Sequence, residues 1–356
     1  MQNHTIYIRT LKRAEHTVFC VEDGQKTYYD PQFKRMLPYA SGQQVKRSLL
    51  DSFCDAGNIK ISPTTFYWDF NKKKELKEGE AFGTCDPTYP DQLIGGWMKA
   101  SKGGGSRTLK RRSPLSVSAM KPLHPLLAGV NKDSASFDRS GHSHNKIIVR
   151  GEDGKELNED EINTILEGKD RSLTRKWIPA SNKATGLFIQ DIAIDLRRLF
   201  SIRLDDFEPE ISQEVEEKLR ESGWVEGENV FGRCLIAPVK LREKLIPILA
   251  YAIINWKITS NQARTFSLME TLAVSIGGNA NKIAGAIRAK LSEENSEQAI
   301  PVVEEQVKGI DTFVTPTAAG YVATTTESIE AMDDAEEKLI EILSSYAYEA
   351  LPEFAL

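Results

Sequence analysis

Alternating apolar and polar positions predict strands in three separate parts of the chain. Residues 5–10 alternate over Thr-Ile-Tyr-Ile-Arg-Thr, and residues 17–21 continue the pattern before an acidic glycine turn. Residues 186–196 give the strongest signal, because apolar side chains occupy both faces, as in a central strand. Residues 271–276 are also apolar and end at a glycine pair. We therefore expect a sheet whose strands are far apart in the sequence.

Helical spacing follows the first strands and returns in the second half. Ser41 is a good N-cap after a proline-led turn, and Val45, Ser48, Leu49 and Ser52 then share one face. Helices are also predicted at residues 159–167, 211–223, 241–256 and 327–348. Strands and helices in this order predict an α+β fold with helices on one face of a mixed sheet.

Between residues 60 and 145 the regular pattern fails. An aromatic run at 65–70, three lysines at 72–74 and frequent glycine and proline interrupt it, with short strand patterns at 116–120 and 145–150. We expect an insertion that projects from the core. The resulting division is 1–59, 60–145, 146–320 and a C-terminal helix in 321–356.

Composition excludes several classes of protein. The 356 residues are 40% hydrophobic, which is enough for a core, and the sequence contains neither a run of 18 apolar residues nor a signal-peptide pattern. We expect a soluble, cytoplasmic protein. Four cysteines, at positions 20, 54, 85 and 234, have neither zinc-site nor redox-pair spacing, so we expect reduced thiols.

The net charge of −5 hides a difference between the two halves. Residues 1–150 contain 24 basic and 14 acidic side chains, whereas residues 151–356 contain 22 and 37. Residues 101–150 alone contain 10 basic and 2 acidic side chains. This concentration of positive charge is what a nucleic-acid-binding patch requires.

The start of the helix at Ser41 is the first candidate site. Gly42 allows a backbone to come close, and Lys46 and Arg47 add two charges near the positive end of the helix dipole. This arrangement suits a phosphodiester backbone gripped by amides and cations. The same residues also fit an ordinary capped helix with solvated cations.

The second candidate is the glycine-containing basic segment at 97–115. It carries Lys99, Lys102, Arg107, Lys110, Arg111 and Arg112, with Trp97 and Met98 able to stack on bases. The three glycines are not followed by Gly-Lys-Ser/Thr, so the segment is not a nucleotide-binding P-loop. A flexible solvated loop remains the alternative. Gln262 and Arg264, in a polar turn before the strand at 271–276, are secondary candidates.

Metal and acid chemistry have weaker support. His142 and His144 are two residues apart beside Asp138, but no third His or Cys lies nearby at ligand spacing, so we expect no metal and no cofactor. Asp191 and Asp195 lie on one side of a strand at roughly 13 Å, too far apart to share a proton.

Taken in order, the Ser-Gly-Gln-Gln-Val-Lys-Arg helix start, the basic insertion, the strand at 186–196 and the turn at 262–270 resemble a known family. The chain is similar to the CRISPR-associated backbone subunit of type I (Cascade) effector complexes, in the DevR-like branch of the repeat-associated RNA-binding (RAMP) superfamily. The resemblance covers roughly residues 5–280.

The resemblance implies a modified RRM-like (ferredoxin-like) palm, with insertions forming finger and thumb regions, and a non-catalytic role. Copies would oligomerise along a CRISPR guide RNA and present it for pairing with target DNA. Partners would include further copies and the cap, large and guide-processing subunits, with no membrane. The implied RNA-binding residues are Ser41, Gly42, Gln43, Gln44, Lys46, Arg47, Lys102, Arg107, Lys110, Arg111, Arg112, Gln262 and Arg264.

Two other functions stay open from the sequence. A type III-like backbone subunit would cleave target RNA with a loop aspartate, for which Asp30 or Asp138 is available. A general single-strand binder would need only the segment at 101–115.

Overall fold

The structure is a computed structural model that describes residues 3–20, 25–100, 108–138, 144–169, 173–258, 266–324 and 326–349. The strands within those ranges are β1 Thr5–Thr17, β2 Thr27–Asp30, β3 Arg35–Pro38, β4 Thr65–Phe70, β5 Leu76–Phe82, β6 Trp97–Lys99, β7 Leu109–Arg111, β8 Leu115–Val117, β9 Lys121–Pro122, β10 Ala128–Asp138, β11 Arg175–Asp195, β12 Ser201–Arg203, β13 Val225–Asn229, β14 Gly232–Ile236, β15 Thr271–Gly277, β16 Ile287–Leu291, β17 Ala299–Val303 and β18 Ile310–Val314. The helices are α1 Gly42–Gly57, α2 Pro90–Gly95, α3 Glu159–Leu166, α4 Leu196–Leu199, α5 Gln213–Glu221, α6 Val239–Asn255, α7 Ala280–Ala286 and α8 Ala331–Ser344, with a 3-10 turn at Pro316–Gly320. The fold is α+β, as predicted.

The first strand, β1, lies in the middle of the main sheet. In the described part of the chain this sheet has the order β10-β11-β1-β15-β18, and β8 and β9 pair with β11 beyond the end of β10. All of these pairings are antiparallel. Ile8 lies opposite Ile192 on one side and Ile276 on the other, and it is fully buried. The apolar alternation of β1 is therefore matched by both of its neighbours.

Helices α1 and α6 cover one face of this sheet. The buried side chains of α1 include Val45, Leu49 and Phe53, at the spacing predicted from the sequence, and they join the same core as Ile8 and Ile192. Helix α8 packs on α6 and adds Leu339 and Leu343, among others, to this core. Burial of one apolar face per helix against the sheet is the main favourable contribution to the fold.

The opposite face of the sheet has its own, smaller core. Leu11, Ile189 and Ala273 point to this side and pack with residues of the β16–β17 hairpin and the 3-10 turn. Arg9 lies on the same side and joins β1 to β11, α7 and β16. Its guanidinium donates two bonds to the Asp191 carboxylate at 2.7 and 2.9 Å and further bonds to carbonyls of α7 and β16.

Four sequence expectations need correction. The aromatic run at 65–70 is strand β4, paired with β5 in a hairpin, because its β-branched and aromatic residues favour extended backbone. Strands β8, β9 and the start of β10 pair with β11 where β11 also pairs with β1, so residues 115–130 belong to the main sheet. Residues 145–149 form no strand, and Val18, Phe19 and Cys20 lie beyond the end of β1.

Cys20, Cys54, Cys85 and Cys234 are buried and form no disulfide with one another. Burial raises the pKa of the Cys54 thiol to about 12 and that of the Cys234 thiol to about 11.

Among the helices in the described ranges, none combines the length and the apolar character needed to cross a membrane.

Gly186 is the position in β11 where the sheet tolerates no side chain. Its φ is 138°, and a Cβ added there would lie 2.4 Å from the Leu127 carbonyl oxygen. We predict that Gly186→Ala lowers the free energy of unfolding by about 2 to 4 kcal/mol, from backbone strain and overpacking together. Gly129→Ala on the neighbouring strand is the matched control, because a Cβ there meets no atom within 4 Å. Denaturant titration of both variants measures the difference, and equal stabilities would contradict the close approach at Gly186.

Candidate nucleic-acid interface

Helix α1 begins where the sequence predicts. Ser41 has extended backbone and its hydroxyl oxygen accepts from the Gln44 amide at 3.3 Å, which caps the first turn. The acidic side chains that would oppose an anion are missing from this first turn. The start of α1 therefore keeps the positive electrostatic character that suits a phosphate.

Gly42 is needed for a different reason from the one inferred from the sequence. A Cβ at this position would lie 3.0 Å from the Val117 carbonyl oxygen and 3.4 Å from the Ala119 amide nitrogen. The backbone that approaches Gly42 is therefore the chain's own, just after β8. Next to it, Ala40 and Met120 exchange backbone hydrogen bonds at 2.9 and 3.0 Å.

Lys46, a predicted phosphate ligand, here holds two parts of the protein together. Its ammonium donates to the Gly95 carbonyl and to the Ser113 hydroxyl, both at 2.7 Å. Burial lowers the pKa of Lys46 to about 8. The side chain therefore joins α1 to the end of α2 and to the segment after β7.

The neighbouring side chains of α1 are more accessible. Arg47 is 63% exposed and pairs with Asp51 one turn later at 2.9 Å. An exposed ion pair of this kind contributes little to stability, so Arg47 can exchange its partner for a phosphate at small cost. Gln43 is exposed, and Gln44 donates to Ser48 at 3.5 Å.

Arg111 is buried, which is the clearest correction to the predicted site. Its side chain is 1% exposed and its guanidinium lies 3.1 Å from the Glu210 carboxylate. It also donates to the carbonyls of Ser201 and Arg198 at 2.7 Å each. Burial lowers the pKa of Arg111, and the adjacent Glu210 carboxylate opposes that effect. Arg111 is therefore a structural cation and not an RNA ligand.

Glu210 is the centre of this buried cluster. One carboxylate oxygen also accepts from the Arg203 amide at 2.9 Å, and its backbone carbonyl accepts from the Trp97 indole at 2.7 Å. Trp97 is thus buried, against the prediction that it stacks on bases, whereas its neighbour Met98 is exposed. The cluster fixes β6 and β7 to β12 and to the loop that follows β12.

Strand alternation places the flanking cations on the outside. Lys110 and Arg112 are both exposed, on either side of the buried Arg111. Lys102, Arg107, Gln262 and Arg264 lie outside the described residues, as does His142.

The structure brings the two main candidate segments together. Ser113, next to Arg112, is bonded to Lys46 of α1, and Met120 is bonded to Ala40 just before the helix. The next residue, Lys121, is exposed and pairs with Ile189 of β11, so its side chain lies on the face of the sheet opposite α1. Arg47, Lys110 and Arg112 are the accessible cations of this surface, which we call the α1 surface.

The four acidic candidates all bind other groups of this chain. Asp191 is bonded to Arg9, and Asp195 caps α4 and pairs with Arg197 at 2.8 Å. Asp30 accepts from the Phe33 amide at 2.7 Å in the β2–β3 turn, and Asp138 lies 3.7 Å from Arg175. In the described part of the chain, no three His, Cys, Asp or Glu side chains lie where they could hold a metal ion together.

Comparisons with known proteins do not identify a family. No family model matches the chain, and no curated protein matches it. One similar solved chain is described as a "CRISPR RNA-guided surveillance complex, pre-nicking", with TM-score 0.46, 9% identity, and coverage of 95% of this chain and 89% of that chain. Another, a "CRISPR RNA-guided surveillance complex", has TM-score 0.41, 10% identity, and coverage of 94% and 99%. At these scores neither likeness supports an argument about function.

The lowered pKa of Lys46 predicts a pH dependence of stability. Its pKa is about 8 in the folded chain and 10.5 ordinarily, so between these values the unfolded chain binds more protons. The free energy of unfolding should therefore rise as the pH rises from about 8 to 10.5. Below about pH 8 the Lys46 ammonium is charged in both states, so its burial lowers the free energy of unfolding by the full amount. Lys46→Met should remove part of this rise in denaturant titrations at several pH values. The exposed Lys121→Met is the control, and identical pH profiles for both variants would contradict the burial of Lys46.

Adjacent arginines give a second prediction. Arg111→Met should lower the free energy of unfolding by about 3 to 5 kcal/mol, because it leaves the Glu210 carboxylate buried without its partner. Arg112→Met should change it by less than about 0.5 kcal/mol. Denaturant titration measures both.

A double variant tests the cause. Arg111→Met combined with Glu210→Gln should lose less than the sum of the two single losses, since no uncompensated charge remains. Strict additivity would mean that the two side chains do not interact.

Proposed function

We propose that this protein is a guide-RNA-binding backbone subunit that oligomerises along CRISPR RNA in a type I surveillance complex. In this role it presents the guide for pairing with target DNA and catalyses no reaction itself. The single observation that carries the proposal is the α1 surface, where two adjacent chain segments carry accessible cations near a capped helix start whose first turn has no acidic side chain.

The strand order supports an RRM-like palm. Strand β1 leads through α1 to the β8–β10 segment, and β11 leads through α6 to β15. These two β-α-β units interleave in the order β10-β11-β1-β15, with both helices on one face. This is the arrangement expected of a ferredoxin-like sheet, and it brings the start of α1 next to β8 and β9.

Two extensions fit the finger and thumb regions of such a subunit. Strands β10 and β11 remain paired as far as Asp138 and Arg175, so they form a long hairpin beyond the sheet. We assign this hairpin to the thumb, and residues 60–100 to the finger. The assignment places the finger beside the α1 surface, because Arg47 and residues 61–64 line a common cleft.

The α1 surface favours recognition of the RNA backbone over its base edges. Guanidinium and ammonium groups and helix amides bind phosphates of any sequence. A backbone subunit must hold different guides in the same way, so this chemistry fits the role. The acidic second half would face basic neighbours, which include further copies and the cap, large and guide-processing subunits.

The decisive experiment is coexpression of the chain with a CRISPR array, followed by native mass measurement of the purified species. We expect a guide RNA of uniform length bound by several copies at regular spacing. A protein that binds unrelated RNA equally well, with no regular stoichiometry, would favour a general single-strand binder. Cleavage of target RNA in the presence of magnesium would favour the type III-like alternative.

The accessible cations give a quantitative prediction. A variant with Arg47→Gln, Lys110→Gln and Arg112→Gln should bind RNA more weakly and with little dependence on sequence. The slope of log affinity against log salt should fall by about 0.7 for each lost phosphate contact on a single strand. Lys290→Gln, an exposed change on β16, is the control for charge alone. An unchanged slope would refute the role of the α1 surface.

A further inference from the structure

The β4–β5 hairpin presents aromatic rings to solvent. Phe66, Trp68 and Phe70 alternate along β4 and therefore share one face. They are 68%, 56% and 75% exposed, and Leu76 next to Phe70 on β5 is 66% exposed. Isolated exposed apolar residues are ordinary, but a row of three large rings marks an interaction site.

The hairpin is anchored, so the row has a defined position. The Ser62 amide and hydroxyl donate to the buried Asp91 carboxylate, which fixes the base of the hairpin to α2. The register of the β4–β5 pairing shifts between Phe66 and Trp68. Gly79 allows the two strands to approach there, since a Cβ at this position would lie 2.6 Å from the Tyr67 carbonyl oxygen. Tyr67 turns to the opposite face and packs edge-on against Phe82.

The turn carries concentrated positive charge. Lys72, Lys73 and Lys74 are exposed at the tip, and Lys77 follows on β5. Asn71 orders this turn, because its side-chain oxygen accepts from the amides of Lys73 and Glu75 at 2.8 and 3.0 Å. One acidic side chain, Glu75, also lies at the turn, and Glu78 lies opposite Trp68 on β5, whereas Asp69 and Glu80 lie elsewhere along the strands.

Spacing and charge favour a single-stranded nucleic acid as the occupant. Rings two residues apart on a strand are about 6.6 to 6.8 Å apart, which is about two base-stacking steps of 3.4 Å. One ring can therefore lie between successive unstacked bases. Aromatic rows with nearby cations are the usual platform for unpaired bases, whereas a protein groove needs no such charge.

The hairpin also continues the α1 surface. Its base is at residues 61–64, which line the same cleft as Arg47 and Asp51. A strand whose backbone is held at Arg47 can therefore extend along the aromatic row toward the lysines of the turn.

We propose that Phe66, Trp68 and Phe70 form a stacking platform for unpaired bases of a nucleic acid strand bound at the α1 surface, with the lysine turn holding its phosphates. The proposal rests on the nucleic-acid binding proposed above and adds a second contact region to it.

The test uses the full chain with two probes, a short oligouridine and a short oligothymidine. Replacing Phe66, Trp68 and Phe70 by Ala should weaken binding by about tenfold for each ring that stacks. Trp68→Phe keeps a ring and should retain most of the affinity, while Trp68→Ala should not. Tyr67→Ala, on the opposite face, is the matched control. Preference for one probe identifies the strand as RNA or DNA.

Three outcomes overturn the proposal. The first is that the alanine variant binds both probes as the parent does. The second is that the parent binds neither probe. In that case the recovery of guide RNA from the coexpression experiment still tests the backbone role separately. The third is that the alanine variant keeps its probe affinity but loses assembly by light scattering, which would make the row a contact between copies. Because these side chains are exposed, the circular dichroism and thermal midpoint should stay unchanged.

Discussion

Pairing of β1 with both β11 and β15 is the interaction on which the rest of the structure depends. Ile8 meets Ile192 and Ile276, so the centre of the sheet joins the beginning, middle and later part of the chain. One-residue slippage would turn its apolar side chains to the wrong core, because strand faces alternate with a period of two. Helices α1 and α6 are then fixed by the buried faces they share with this sheet.

The site depends on a second, polar constraint. Glu210 and Arg111 form a buried ion pair that holds β7 in place, and Lys46 binds the segment immediately after it. Such pairs contribute little net stability, yet they leave each partner no other acceptable position. Because Arg111 points inward, Lys110 and Arg112 point outward. The structural cation therefore determines where the accessible cations lie.

The accessible surface combines two kinds of chemistry suited to nucleic acid. The α1 surface offers cations at a helix start, and the β4–β5 hairpin offers aromatic rings next to a lysine turn. Arg47 and the base of the hairpin line one cleft, so the two regions are adjacent. Phosphate contacts and base stacking are both largely independent of sequence, as the proposed role in holding guides of any sequence requires.

The sequence by itself determined the elements whose signals are local. The Ser41 cap, the apolar face of α1, the strand at 186–195 and the α+β class follow from hydrogen bonding and periodicity within a few residues. Only the tertiary structure decided which cations are accessible. Lys46, Arg47, Arg111 and Arg112 look equivalent in the sequence, but burial depends on partners 49 to 99 residues away, such as Gly95 and Glu210. The same long-range contacts placed the segment after β7 beside α1, because no local pattern encodes which distant segment will pack against a helix.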